Sequence, residues 1–138
     1  MKHFLDTHNA VVLRTDFSDP VAWQTICAAI RNPIGEFKAY VDFVSDPAYD
    51  ALTTEQILSL VPQASNHTFL FIVDRKALSH PDCPILVLDL YAQPGRTFRV
   101  IPSEMWGVEN NLSIANMDFE EFAEAVDEDG IFRGFSVS

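Results

Sequence analysis

Apolar positions along the 138 residues recur in two rhythms, one marking strands and the other helices. Ala10 to Leu13 is a short apolar run with two adjacent valines, which reads as a strand. Asp19-Pro20 then marks a helix start, with the aspartate as N-cap and the proline at the first helical position, where its missing N–H costs nothing. Trp23, Ile26, Cys27 and Ile30 fall at i, i+3, i+4 and i+7, one apolar helical face that Asn32-Pro33 brings to an end. Lys38 to Val44 alternates Ala39, Val41 and Phe43 against Tyr40, Asp42 and Val44, a second strand. A helix between two strands predicts that they run parallel.

After the Asp46-Pro47 loop, Thr53 and Gln56 form a capping box, and Leu52 and Ile57 occupy the positions of a hydrophobic staple. The short stripe of Ile57, Leu60 and Val61 stops at Pro62. Thr68 to Val73 is almost continuously apolar, as in a central strand buried on both faces, and Asp74 to Pro84 reads as a connection. Ile85 to Tyr91 is another apolar strand, interrupted by Asp89. Gln93-Pro94-Gly95-Arg96 has the chemistry of a type II turn and predicts a hairpin with Thr97 to Ile101. A five-residue loop sets Asp89 opposite Arg99, which would explain a charge in a buried strand. A four-residue loop sets it opposite Phe98, leaving Arg75 or Arg14 as its partner.

Met105, Val108, Leu112 and Ala115 sit at helical spacing that Gly107 weakens, so a short irregular helix is expected there. Asp118 and Glu121 make a second capping box before Phe119, Phe122, Ala123 and Val126, with Met117 placed to staple onto Phe122. Phe132 and Phe135 are expected to dock the tail. This order of elements predicts an α/β fold, a single mixed β-sheet of about five strands with helices packed against it. Residues 1–9 read as a flexible N-terminus and 10–138 as a single α/β domain.

Hydrophobic residues at 48% and charged residues at 21% are the balance of a folded globular domain, not of a disordered chain. No apolar run approaches the roughly 20 residues that span a bilayer. Asp6 interrupts the N-terminus before a signal-peptide core develops, and a cytoplasmic location is expected. Cys27 and Cys83 fit no zinc or redox spacing and read as free thiols. A net charge of −11 argues against nucleic acid or an anionic membrane as partner and favours another protein carrying positive charge.

The candidate chemistry is sparse. Asp16 and Asp19 follow the first strand, where ligands of open α/β sheets bind, and Arg14 lies beside them. The structural alternative is that Asp19 only caps and Arg14 pairs with Asp16. Cys83, His80 and Asp82 could be drawn as a thiol triad, but they are too close in sequence to be well placed. The histidines show no metal-ligand spacing, and no phosphate-binding fingerprint is present. Neither a metal nor a cofactor is therefore expected.

Trp106, Glu109, Asn110 and Asn111, with Glu104 nearby, form the best remaining binding candidate, an aromatic ring beside directional amides. The structural alternative has Trp106 in the core and Asn110, Asn111 and Asn116 serving backbone groups, since an unpaired buried amide costs about 1 to 3 kcal/mol.

Leu-Arg-Thr-Asp-Phe-Ser-Asp at Leu13 to Asp19, Ala-Tyr-Val at Ala39 to Val41, Pro-Gly-Arg-Thr-Phe-Arg at Pro94 to Arg99 and the run Met105 to Phe119 resemble a bacterial domain family of unknown function. The resemblance extends from about Val11 to Phe135 and implies no activity, cofactor or catalytic residue. Three expectations stand. One is a non-catalytic, protein-binding module, of which an immunity-type inhibitor is an example, with Trp106, Glu109, Asn110, Asn111, Arg14 and Asp16 as binding residues. The alternative is a small hydrolase using Asp16, Asp19 and Asp89 with Arg14 or Arg99. A homo-oligomer packing Trp106 or Phe135 across a two-fold interface is a third.

Overall fold

The computed structural model describes residues 4–135. Strand β1 (Ala10–Arg14) is buried along its whole length. It leads to helix α1 (Pro20–Arg31), whose first turn is closed by the Asp19 carboxylate accepting from the Ala22 N–H at 3.0 Å. Trp23, Ile26, Cys27 and Ile30 are its buried residues, as their spacing predicts. Strand β2 (Val41–Val44) returns parallel to β1. It starts later than its alternation suggests, because the Tyr40 N–H is taken by the Glu109 carboxylate at 2.7 Å. The Thr53–Gln56 capping box opens helix α2 (Thr54–Leu60), which buries Ile57. Strand β3 (Phe69–Val73) lies on the other side of β1, again parallel.

Helix α3 (Arg75–Ser79) falls inside the stretch expected to be a plain connection. Asp74 caps it, accepting from the Ala77 N–H at 3.1 Å, and Ala77 is its one buried residue, too little to write a helical period. Strands β4 (Ile85–Asp89) and β5 (Thr97–Val100) form the expected hairpin. Its loop contains the expected turn, with Arg96 N–H donating to the Gln93 carbonyl at 3.0 Å and Gly95 at φ +102°. A short 3-10 turn at Pro102–Glu104 runs into helix α4 (Met105–Ser113), and helix α5 (Phe119–Ala123) follows behind its capping box. Strand β6 (Ile131–Phe132) pairs with β5. The sheet thus has six strands, one more than expected, in the order β2-β1-β3-β4-β5-β6.

Among the described residues β4 alone runs against the other five strands. Alternation along β1 and β3 divides the interior into two layers. Val12, Phe69, Phe71 and Val73 pack with α1, α4 and α5, while Val11, Leu13, Leu70 and Ile72 pack with Ile57 of α2. Phe4 and Leu5, inside the stretch read as a flexible arm, are buried in this second layer. No helix among the described residues is long and apolar enough to cross a membrane.

The hairpin register corrects the pairing expected for Asp89. Leu88 faces Thr97 and Leu86 faces Arg99, so neither the four- nor the five-residue loop forms. Asp89 is 2% exposed, yet its partners are main-chain N–H groups and not a cation. Its carboxylate accepts from Tyr91 at 2.9 Å, Ala92 at 3.3 Å and Gln93 at 2.9 Å. Arg99 instead grips Asp74 with two bonds of 2.9 and 2.7 Å and donates to the Pro84 carbonyl at 3.0 Å.

Candidate functional site

With β1 between β2 and β3, the chain leaves the carboxyl end of β1 toward one side of the sheet and later returns on the other. Such a switch point is where open α/β sheets bind ligands. Arg14 and Asp16 are there, but they serve the local fold. Arg14 is 8% exposed, donates to the Asp16 carbonyl and the Ser45 hydroxyl, each at 3.2 Å, and lies with its guanidinium carbon 4.2 Å from the Phe17 ring centre. The Asp16 carboxylate accepts from both the hydroxyl and the backbone N–H of Ser18. Those bonds, the hydroxyl's foremost, hold its pKa below the ordinary value, with smaller help from Arg75 and Arg14.

Asp89 cannot join Asp16 and Asp19. Because β4 is antiparallel to β3, its carboxyl end lies at the opposite end of the strands from that of β1. The three carboxylates of the hydrolase expectation therefore share no pocket. The thiol constellation fares no better: the His80 Nδ1 accepts from the Asp82 N–H at 3.1 Å, and burial pushes the Cys83 thiol up, away from the thiolate. No group of three or more His, Cys, Asp or Glu residues among those described could hold a metal ion.

The central stretch divides into two roles. Trp106 and Glu109, one helical turn apart on α4, both hold the loop between α1 and β2. Trp106 stacks on Phe37 with ring centres 4.2 Å apart and planes within 14°. Glu109, 6% exposed, bonds the Tyr40 N–H and accepts from the Ser113 hydroxyl at 2.8 Å. Across this loop Ile34 and Phe37 exchange backbone bonds of 2.8 and 3.0 Å around Gly35, whose φ of +62° suits glycine. The result is a braced loop that presents Phe37, 51% exposed, stacked on the half-buried Trp106, with Tyr40, 64% exposed, three residues further along it. Phe37 was not a candidate because an aromatic in a loop carries no period, and Tyr40 was expected within the second strand, which begins only at Val41.

The Asn110 side chain is exposed, and Asn111 and Asn116 form the end of α4. Asn116 N–H donates to the Asn111 carbonyl at 3.0 Å and Ala115 N–H to that of Leu112 at 3.3 Å, the paired bonds of a Schellman helix end. Ala115 takes the left-handed position usually given to glycine, at φ 55°. Side-chain bonds from Asn111 to the Gly107 carbonyl, 2.8 Å, and from Asn116 to the Asn111 amide oxygen, 2.9 Å, fix the same corner.

Beside that corner lies a cavity of about 450 Å³. Phe69, Leu112, Met117 and Phe119 are among its apolar lining, Tyr91 stands on it, and Asp89, Arg96, Asp118 and Glu120 supply its charged side chains. Its lining comes from three distant segments, so no local motif announces it.

Fold and surface together define a small acidic α/β domain whose polar groups mostly hold its own backbone, with an aromatic face and an apolar cavity left open to solvent. The chain belongs to the domain family of unknown function DUF6924, which it matches over residues 9–135. No curated protein matches it.

Proposed function

We propose that this chain is a non-catalytic, cytoplasmic binding domain that recognises another protein carrying positive charge, and that an immunity-type inhibitor of a basic enzyme fits this description. The observation that carries the reading is the aromatic face of Phe37, Tyr40 and Trp106. The Phe37 ring is half exposed yet already held by its stack on Trp106, and the Glu109 carboxylate fixes the backbone of the same loop at Tyr40, so little side-chain entropy is lost when Phe37 is contacted. The net charge of −11 would speed encounter with a basic partner. Arg14 and Asp16 are not part of this face.

Photo-crosslinking tests it. A benzophenone amino acid in place of Phe37 should capture one basic protein in the native cell, and the same group at the exposed Val21 should not. With that partner purified, Trp106→Ala should weaken binding by roughly 30-fold, the loss of a hot-spot ring, while the variant melts cooperatively. Added salt should slow association. Unchanged affinity in the folded variant, or capture equal at both positions, defeats the reading.

A further inference from the structure

A cavity opens to solvent between the β4–β5 loop and the α4–α5 corner. We propose that it is a socket for an apolar side chain of the basic partner, with a neighbouring lysine or arginine of that partner meeting the carboxylates at its rim. The proposal rests on the binding reading above.

Size comes first. A volume of about 450 Å³ lies within the range of sites that enclose a ligand, and the lining is mainly apolar. Both walls are built in advance. One is the loop after β4, which Asp89 fixes by accepting from the N–H groups of Tyr91, Ala92 and Gln93. The other is the Schellman corner after α4, tied by Asn111 and Asn116. A pocket with rigid walls does not collapse when empty, so it offers unfilled apolar surface to a partner.

Charge then chooses the occupant. Asp118 and Glu120 stand at the rim against a single cation, Arg96, which is 3.8 Å from Glu120. Glu121 on the same helix and Glu124 at its end add negative charge along α5, whereas Asp127 further on is paired with Arg133. Tyr91, 77% exposed at the same rim, offers a ring face over which a cation can sit. An apolar group with an anion beside it would meet repulsion here, whereas one with a cation would not.

The probe is N-acetyl-phenylalanyl-arginine amide, added to the isotope-labelled full chain and followed by amide NMR shifts. Saturable shifts at Ala115, Met117 and Phe119 are expected, with affinity at least fivefold above that of N-acetyl-phenylalanyl-glutamate amide or N-acetyl-glycyl-arginine amide. Met117→Trp should fill the socket and abolish the shifts. Glu120→Lys, on an exposed side chain, should weaken binding at least fivefold and serves if the tryptophan variant does not fold. Trp106→Ala should leave these shifts unchanged, which separates this site from the aromatic face. Absent saturation, equal affinity for the glutamate probe, or indole alone binding as tightly as the arginine probe overturns the proposal, the last by assigning the cavity to a small apolar ligand. Probe failure alongside a partner lost with Trp106→Ala would leave the binding reading intact and remove only the socket.

Discussion

Truncating Asp89 to alanine should destabilise the protein by about 2 to 3 kcal/mol, and the loss should not depend on Arg99. A hydrogen bond to a charged acceptor contributes roughly 1.5 to 3 kcal/mol when buried. The Asp89 carboxylate accepts three, but Tyr91, Ala92 and Gln93 are exposed, so water would replace much of what is lost. Asp89→Asn keeps one acceptor oxygen and should cost about half as much. Arg99 faces Leu86, three residues along β4 from Asp89 and so roughly 10 Å away at strand spacing. In urea unfolding of Asp89→Ala, Arg99→Met and the double variant, the effects should add within about 0.5 kcal/mol. The matching cycle of Asp74→Asn with Arg99→Met should show coupling of about 1 to 3 kcal/mol, because that pair is bidentate and its side chains are only 28% and 16% exposed. Coupling above about 1 kcal/mol between Asp89 and Arg99, on the scale of a contacting pair, would refute the register argument. So would a negligible cost for Asp89→Ala.

Gly107→Ala should stabilise the protein by roughly 0.5 kcal/mol and raise its melting temperature by about 2 °C in calorimetry, since a methyl at this third position of α4 meets nothing within 4 Å. Glu104→Gln should be more stable than wild type at neutral pH. Burial raises the Glu104 pKa above 4.5, so wild-type stability falls as pH rises from that value through the folded one, and the two stability curves should converge in acid. Asp16 behaves oppositely: its lowered pKa contributes stability above the ordinary value that is lost as pH falls through the folded one, and Ser18→Ala should move its NMR titration upward.

Much of the fold was legible because local signals agreed. Asp19-Pro20 and Thr53–Gln56 cap the helices their spacing predicts, and Phe69–Val73 is buried on both faces as its composition implies. Helix α3 and strand β6 were not legible, since five residues with one buried alanine and a two-residue strand are too short for a period to repeat. The Asp89 expectation failed for a specific reason. A buried carboxylate was assumed to need a cation, whereas converging N–H groups satisfy it equally well. In the central stretch, Asn111 and Asn116 tie the helix end, the Asn110 side chain is exposed, and Trp106 and Glu109 hold the loop between α1 and β2. That loop's own aromatics, like the cavity lining, become neighbours only through tertiary structure.

The reversed direction of β4 also bears on how the chain folds. The pairings β3–β4 and β4–β5 join neighbours in sequence, while β1 must find Phe71 and its flanks across α1, β2 and α2. Loop closure therefore costs least in the meander of β3, β4 and β5, and that unit should form the transition state onto which the amino-terminal half condenses. Refolding kinetics would show it as a larger φ-value for Val87→Ala than for Val12→Ala, both fully buried, and the reverse order would place the nucleus in the parallel half. A ribosome releasing this chain from its amino terminus would accordingly hold β1 and β2 exposed until the meander has emerged.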